Sequence, residues 1–70
     1  MERQAVSSSN LASVGYNPDS ETLEVEFLST GKVYEYYNLP QFMYDRLMEA
    51  PSLGKFFNAE IKNAYPCNPI

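Results

Sequence analysis

The clearest pattern in the chain is a strict alternation of apolar and acidic residues in the stretch TLEVEF, residues 22–27. Leu23, Val25 and Phe27 fall on one side of it and two glutamates fall on the other, which predicts a half-buried strand. The stretch LSTG follows, and Gly31 at its end can take the left-handed conformation of a bulged turn. The tyrosine-rich run KVYEYY is therefore predicted to return as the second arm of a hairpin.

One register of this hairpin buries the apolar residues together. Val25 then faces Tyr34 and Leu23 faces Tyr36, because directly opposed residues share a sheet face. A slip by one residue would bury Glu35 and expose both tyrosines. We therefore expect Tyr34 and Tyr36 on the core side, with their hydroxyls reaching towards an edge. The opposite face is expected to be open to solvent and to carry Glu24, Glu26, Glu35 and Tyr37.

The flanking segments complete an α+β pattern. Residues 10–16 predict a strand before the hairpin, and the period becomes helical after Pro40 until Pro51 ends that helix. Ser52 can cap a second helix, whose apolar stripe is Leu53, Phe57, Ile61 and Ala64. The sequence thus predicts a three-stranded antiparallel meander followed by two short helices packed on one face. Residues 1–8 are interpreted as a flexible lead-in, 9–65 as a single domain and 66–70 as a tail.

Composition narrows the possible functions. The 70-residue chain has no histidine, one cysteine and a net charge of −4, which disfavours a zinc site, acid–base catalysis and tight binding of long duplex nucleic acid. We expect neither a cofactor nor enzymatic activity. A lone cysteine and the lack of a membrane-spanning or signal-peptide pattern favour the cytoplasm. A core this small makes a homo-oligomer plausible.

The order of these motifs resembles the KTSC domain, a small module found at the C-terminus of some lysyl-tRNA synthetases and as a stand-alone bacterial or phage protein. The resemblance rests on SSNLASVGY, LEVEF with Gly31, YEY at 34–36, LP at 39–40, Tyr44 and SLGKFFNAEIKNAY. Leu11 and Phe56 depart mildly from the family pattern, which more often has isoleucine and tyrosine there. The resemblance implies a compact α+β module without established chemistry, for which RNA binding has been suggested.

Three groups of residues are candidates for ligand contact. Tyr34 and Tyr36 can form a stacking platform for a base, although core packing is the simpler interpretation. Lys55, beside Phe56 and on one helical face with Asn58 and Lys62, can meet an anion near a helix N-terminus, or this face can simply be solvated. Ser9 and Asn10 can read the edge of a ligand, or they can cap a turn.

These candidates support one main functional hypothesis. The chain is expected to bind a nucleotide or short oligonucleotide, for example a cyclic signal captured by a phage sponge, by aromatic stacking and a local cationic patch. The alternative is a protein–protein adaptor that uses Tyr37, Tyr44, Phe56 and Tyr65 as exposed anchors. The proposed ligand-binding residues are Ser9, Asn10, Tyr34, Tyr36, Lys55, Phe56 and Asn58.

Overall fold

The hairpin is at the centre of the fold and has the register that the sequence favours. In a computed structural model that describes residues 2–70, Val25 pairs with Tyr34 and Leu23 pairs with Tyr36. Gly31 adopts a φ of 70°, and its amide donates to the Phe27 carbonyl over 2.8 Å. The positive φ closes the bulged turn, which aligns the apolar residues of both arms on one face.

Within residues 2–70 the sheet has five antiparallel strands where three were predicted. They follow chain order across the sheet: β1 Gln4–Ala5, β2 Leu11–Asn17, β3 Thr22–Phe27, β4 Val33–Tyr36 and β5 Cys67–Pro69. The central meander and the α+β class are confirmed, but the segments interpreted as lead-in and tail each add a short edge strand. Strands of two and three residues are too short to show an alternating pattern, so neither could be recognised from its residues alone.

Two helices follow the meander on one face of the sheet. They are α1, Gln41–Glu49, and α2, Leu53–Phe56, which continues directly as a π-helical turn, Phe57–Ile61. The hydroxyl of Ser52 accepts the Lys55 amide over 3.4 Å, so the predicted cap is present. Within residues 2–70 neither helix is long and apolar enough to cross a membrane.

The π-helical turn changes the predicted stripe of the second helix. The Lys62 amide donates to the Phe57 carbonyl over 2.9 Å, a five-residue step that widens the turn. Phe57 and Ile61 are fully buried as predicted, whereas Ala64 is exposed in the turn beyond the helix. The wider turn also changes the angular spacing between Lys55 and Lys62 from that of a regular α-helix.

The core lies between the inner sheet face and the helices. Its buried apolar members are Leu11, Val14, Leu23, Val25, Tyr36, Leu39, Leu47, Phe57 and Ile61. Tyr16 packs at its margin, stacked on Tyr44 with ring centroids 4.8 Å apart, and donates its hydroxyl to the Leu39 carbonyl. This bond fixes the chain where it turns from the sheet towards α1.

The outer sheet face differs from the open acidic face that was expected. Glu24 is only 6% exposed, because Arg3 crosses the sheet and forms an ion pair with its carboxylate. Arg3 also donates from Nε to the Ser13 hydroxyl over 3.0 Å. Gly15 allows this crossing, since a Cβ there would lie 2.6 Å from the Glu2 carbonyl oxygen. Glu2 and Arg3 therefore act as a strap over this face.

Candidate functional site

A surface groove of about 530 Å³ opens between the β3–β4 hairpin and the end of the π-helical turn. Its walls combine aromatic rings, two lysines and small polar groups, and among residues 2–70 no carboxylate lines it. Ten residues form the lining: Asn10, Phe27, Ser29, Thr30, Lys32, Tyr34, Tyr36, Lys62, Asn63 and Cys67. In a chain of net charge −4, this is a locally cationic concave surface.

Aromatic rings form the apolar part of the groove. Phe27 and Tyr34 meet edge to face with centroids 5.5 Å apart, and both rings are half-buried. Tyr36 is buried in the core and contributes little surface. Its burial, with the neighbouring Cys67 thiol, raises the pKa of the Tyr36 phenol to about 12, so the hydroxyl stays protonated near neutral pH. Ligand stacking would therefore fall mainly to Phe27 and Tyr34.

Two lysines reach the groove from different elements. Lys32 follows the hairpin turn, and its carbonyl accepts the Phe27 amide over 2.9 Å, which places it next to the aromatic wall. Lys62 follows the π-helical turn on the helical side of the groove. Both residues are exposed, so their ammonium groups can meet an anionic ligand without first losing an internal partner.

Asn10 occupies a rigid position in the groove wall. Its backbone N–H donates to the Ser8 hydroxyl over 3.1 Å, and its backbone carbonyl accepts the Leu28 backbone N–H over 3.0 Å. Its side-chain Nδ2 donates to Asn58 Oδ1 over 3.0 Å. A Cβ on Gly54 would lie 2.9 Å from the Ser8 hydroxyl oxygen, so α2 packs closely on this turn.

The structure brings together some of the predicted site residues and separates others. Asn10, Tyr34 and Tyr36 line the groove. Asn58 lies behind Asn10 as its hydrogen-bond partner, and Ser9 is an exposed turn residue outside the lining.

The expected aromatic platform beside Lys55 is not part of the groove. Lys55 and Phe56 are absent from its lining. Phe56 is half-buried against the core, and the amide of Lys55 is bonded to the Ser52 cap. Lys62, which follows the π-helical turn, does line the groove, so the structure separates the two lysines that the helical spacing had grouped.

Sequence reasoning omitted Lys32 and Phe27 from the site, although a signal for both existed. The predicted hairpin register already set Phe27 opposite Lys32, which identifies an aromatic–cation neighbourhood at the hairpin end. Lys62 was noticed, but a regular helix grouped it with Lys55. The contribution of Cys67 depends on β5, which has no pattern of its own in the sequence.

Comparison with known proteins identifies the family. The family model described as KTSC domain matches residues 7–65. The chain belongs to the KTSC domain family. Nine of the ten residues that line the groove lie inside the matched KTSC region, and only Cys67 lies beyond it.

Three proteins of known sequence or structure resemble this chain along most of its length. The crystal structure of a KTSC domain protein from Yersinia pestis has a TM-score of 0.94 at 40% identity, covering 99% of this chain and 96% of that one. An uncharacterised protein of Stutzerimonas stutzeri (strain A1501) is 47% identical over 62 residues, which are 89% of this chain and 86% of the relative. A lysine–tRNA ligase of Nostoc sp. is 38% identical over 50 residues, 71% of this chain but 9% of the ligase.

Proposed function

We propose that this KTSC domain is a non-catalytic module that binds a short nucleotide-type ligand in the groove. The observation that carries the proposal is the combination, in one concavity, of half-buried aromatic rings with Lys32 and Lys62 and without a carboxylate among the described lining residues. Rings stack on bases, and ammonium groups attract phosphates. A nucleotide carries both chemical features within one small molecule.

The size and charge of the groove favour a small ligand. Its volume of about 530 Å³ falls in the range of pockets that enclose drug-sized molecules. A base stacked on an aromatic ring contributes about 1–3 kcal/mol, and two lysines can meet one or two phosphates. The remaining surface is acidic enough to repel a long polyanion. The proposed ligands are therefore mononucleotides, dinucleotides and cyclic dinucleotides.

The chemistry of the groove is suited to binding rather than turnover. The chain has no histidine to activate the Cys67 thiol or a groove hydroxyl. In this proposal the domain sequesters or senses a short nucleotide signal without transforming it, the behaviour expected of a sponge. The segment of a lysine–tRNA ligase that resembles this chain is consistent with a role near nucleic acid.

The adaptor alternative has less support from the aromatic residues. Tyr44 stacks on Tyr16, and Phe56 and Tyr65 are partly buried against the core, so these rings already have intramolecular partners. Tyr37 donates its hydroxyl to the Glu35 carboxylate over 3.0 Å. A partner that used these side chains as anchors would compete with contacts inside the domain.

Thermal-shift and calorimetric titrations with mononucleotides, linear dinucleotides and cyclic dinucleotides test the proposal. A ligand that binds only the native state raises the melting temperature. Lys32→Ala and Lys62→Ala should each weaken binding, whereas Lys55→Ala, a matched exposed lysine outside the groove, should not. The proposal fails if no nucleotide in these sets raises the melting temperature, or if the Lys55 variant loses binding as the groove variants do.

A further inference from the structure

The hydrogen bonds around Asn10 leave its side-chain amide with one free donor and one free acceptor. A primary amide has two N–H donors and one carbonyl acceptor. One donor is spent on Asn58 Oδ1 at 3.0 Å, and among residues 2–70 no donor is bonded to Asn10 Oδ1. The side chain of Asn10, which lines the groove, is therefore left with one N–H donor and one oxygen acceptor on the same amide.

The backbone around Asn10 holds this amide in place. The backbone N–H groups of Asn10 and Leu11 both donate to the Ser8 hydroxyl, over 3.1 and 3.2 Å. The Asn10 carbonyl is fixed by Leu28, and Asn10 Cβ lies 3.3 Å from the position that a Cβ on Gly54 would occupy. An asparagine whose backbone is fixed in this way and whose side chain is bonded to Asn58 is preorganised for recognition, because less freedom is lost on binding.

The position of Asn10 relative to the rings sets what it can contact. Leu11, the next residue, pairs with Phe27 across β2 and β3, so Asn10 stands at the end of the aromatic wall. A base that stacks on Phe27 or Tyr34 would present an edge towards Asn10. Adenine and cytosine each have an exocyclic amino donor beside a ring-nitrogen acceptor, which complements a free acceptor beside a free donor.

We infer that Asn10 is a specificity-determining residue that selects bases with an exocyclic amino group, adenine and cytosine, over their carbonyl counterparts, hypoxanthine and uracil. This inference rests on the proposed nucleotide function. In the orientation that pairs an amino group with Asn10 Oδ1, hypoxanthine and uracil present a carbonyl oxygen to that acceptor and a ring N–H to the Asn10 donor, so both hydrogen bonds are lost. Asn58 enforces the choice, since its carbonyl oxygen keeps Nδ2 of Asn10 turned towards it.

Two matched ligand pairs, AMP with IMP and CMP with UMP, isolate this interaction because the phosphate and the sugar are identical within each pair. By calorimetry or NMR titration of the full chain, the amino-bearing nucleotide should bind about tenfold more tightly. Asn10→Ala should bind both members of a pair equally. Asn58→Asp should preserve the ratio, because a carboxylate can only accept and still orients Asn10, whereas Asn58→Ala should reduce it.

The outcomes separate this inference from the proposed function. Equal binding of AMP and IMP by the unmodified chain overturns the role of Asn10 and leaves the groove intact. If Asn10→Ala still binds AMP more tightly than IMP, the role of Asn10 is likewise overturned while the groove is left intact. Failure of all four nucleotides and of the dinucleotide sets overturns the proposed function, and the inference with it. Circular dichroism of each variant verifies folding. If Asn10→Ala is unfolded, the affinity ratios of Asn58→Asp and Asn58→Ala test the inference in its place.

Discussion

The ring of Tyr36 meets the ring of Phe57 edge to face, with centroids 5.4 Å apart and planes at 89°. This contact joins the middle of the sheet to the π-helical turn. Tyr36 also reaches the groove, where Cys67 is its neighbour. One side chain thus belongs to both the core and the groove floor, so the groove cannot be altered at this position without also altering the packing beneath it.

The raised pKa of Tyr36 predicts a loss of stability in alkali. Its pKa is raised from 10.0 to about 12, chiefly because burial disfavours the phenolate. The stabilising contribution is complete below pH 10 and is lost as the pH rises through the folded pKa. Tyr36→Phe keeps the ring and removes this loss, so its unfolding free energy should fall less between pH 10 and about 12 than that of the unmodified chain. If urea titrations show the same fall in unfolding free energy for Tyr36→Phe and the unmodified chain, the loss of stability in alkali does not come from Tyr36.

Removal of the Phe57 ring should destabilise the domain strongly. Phe57 is fully buried and contacts the rings of Tyr36 and Phe27, so Phe57→Ala should cost about 3–5 kcal/mol. Phe57→Leu, which fills part of the space, should cost less. Phe42→Ala is the matched control, because Phe42 is 60% exposed and its loss should change stability by only about 0.5 kcal/mol. Equal effects of Phe57→Ala and Phe42→Ala in urea denaturation would count against the packing described.

The close approach of Gly54 to Ser8 predicts a coupled pair of substitutions. A Cβ on Gly54 would meet the Ser8 hydroxyl oxygen at 2.9 Å, so Gly54→Ala should cost about 1–3 kcal/mol by overpacking. Ser8→Ala removes the obstacle but also two hydrogen bonds. The double variant should therefore be more stable than the sum of the two single effects predicts. Simple additivity in a double-mutant cycle would show that the two residues do not meet.

The strap over the outer face predicts a specific role for Arg3. Because it pairs with the buried Glu24 carboxylate and bonds to Ser13, Arg3→Ala should cost about 1.5–3 kcal/mol, the range for hydrogen bonds to charged groups. Arg3→Lys should be intermediate, since one ammonium cannot reproduce the fork of a guanidinium. Arg46→Ala, at an exposed position on α1, is the control. If the Arg46 variant loses as much stability as the Arg3 variant, the ion pair is not the cause.

Salt should weaken nucleotide binding through the two groove lysines. Exposed charges are screened over about 10 Å at 0.1 M salt, so affinity should fall as salt rises. A chain with both Lys32→Ala and Lys62→Ala should bind more weakly and show little remaining dependence on salt. Lys55→Ala should retain the full dependence. A salt effect that is unchanged in the double variant would place the anion elsewhere on the surface.

The central part of the fold was predictable because each local pattern agrees with the tertiary packing. Alternation around Val25 and the bulged turn at Gly31 together determine the hairpin register, and the structure has that register. The two edge strands could not be predicted, because Gln4–Ala5 and Cys67–Pro69 depend on hydrogen bonds to neighbours far along the chain. The burial of Glu24 could not be predicted either, because it depends on Arg3, which is distant in sequence.

The site was predictable only in part, for a related reason. Strand pairing correctly predicted the register of Tyr34 and Tyr36, and both residues line the groove together with Asn10. The grouping of Lys55 with Lys62 assumed a regular helix, whereas the backbone widens into a π-helical turn at Phe57–Ile61. Nothing in FNAEI distinguishes that turn from an α-helix, since the extra residue is accommodated by packing of Phe57 and Ile61 into the core.

The outermost strand of the sheet contains Pro69 opposite Tyr34. Proline has no amide hydrogen, so the free margin of β5 lacks a donor at the last residue of the strand. The other margin is a strand of only two residues. Both borders are thus poor templates for a further strand, and mutual repulsion between chains of charge −4 acts in the same direction. We therefore expect concentrated solutions of this protein to resist fibrillar growth through its sheet.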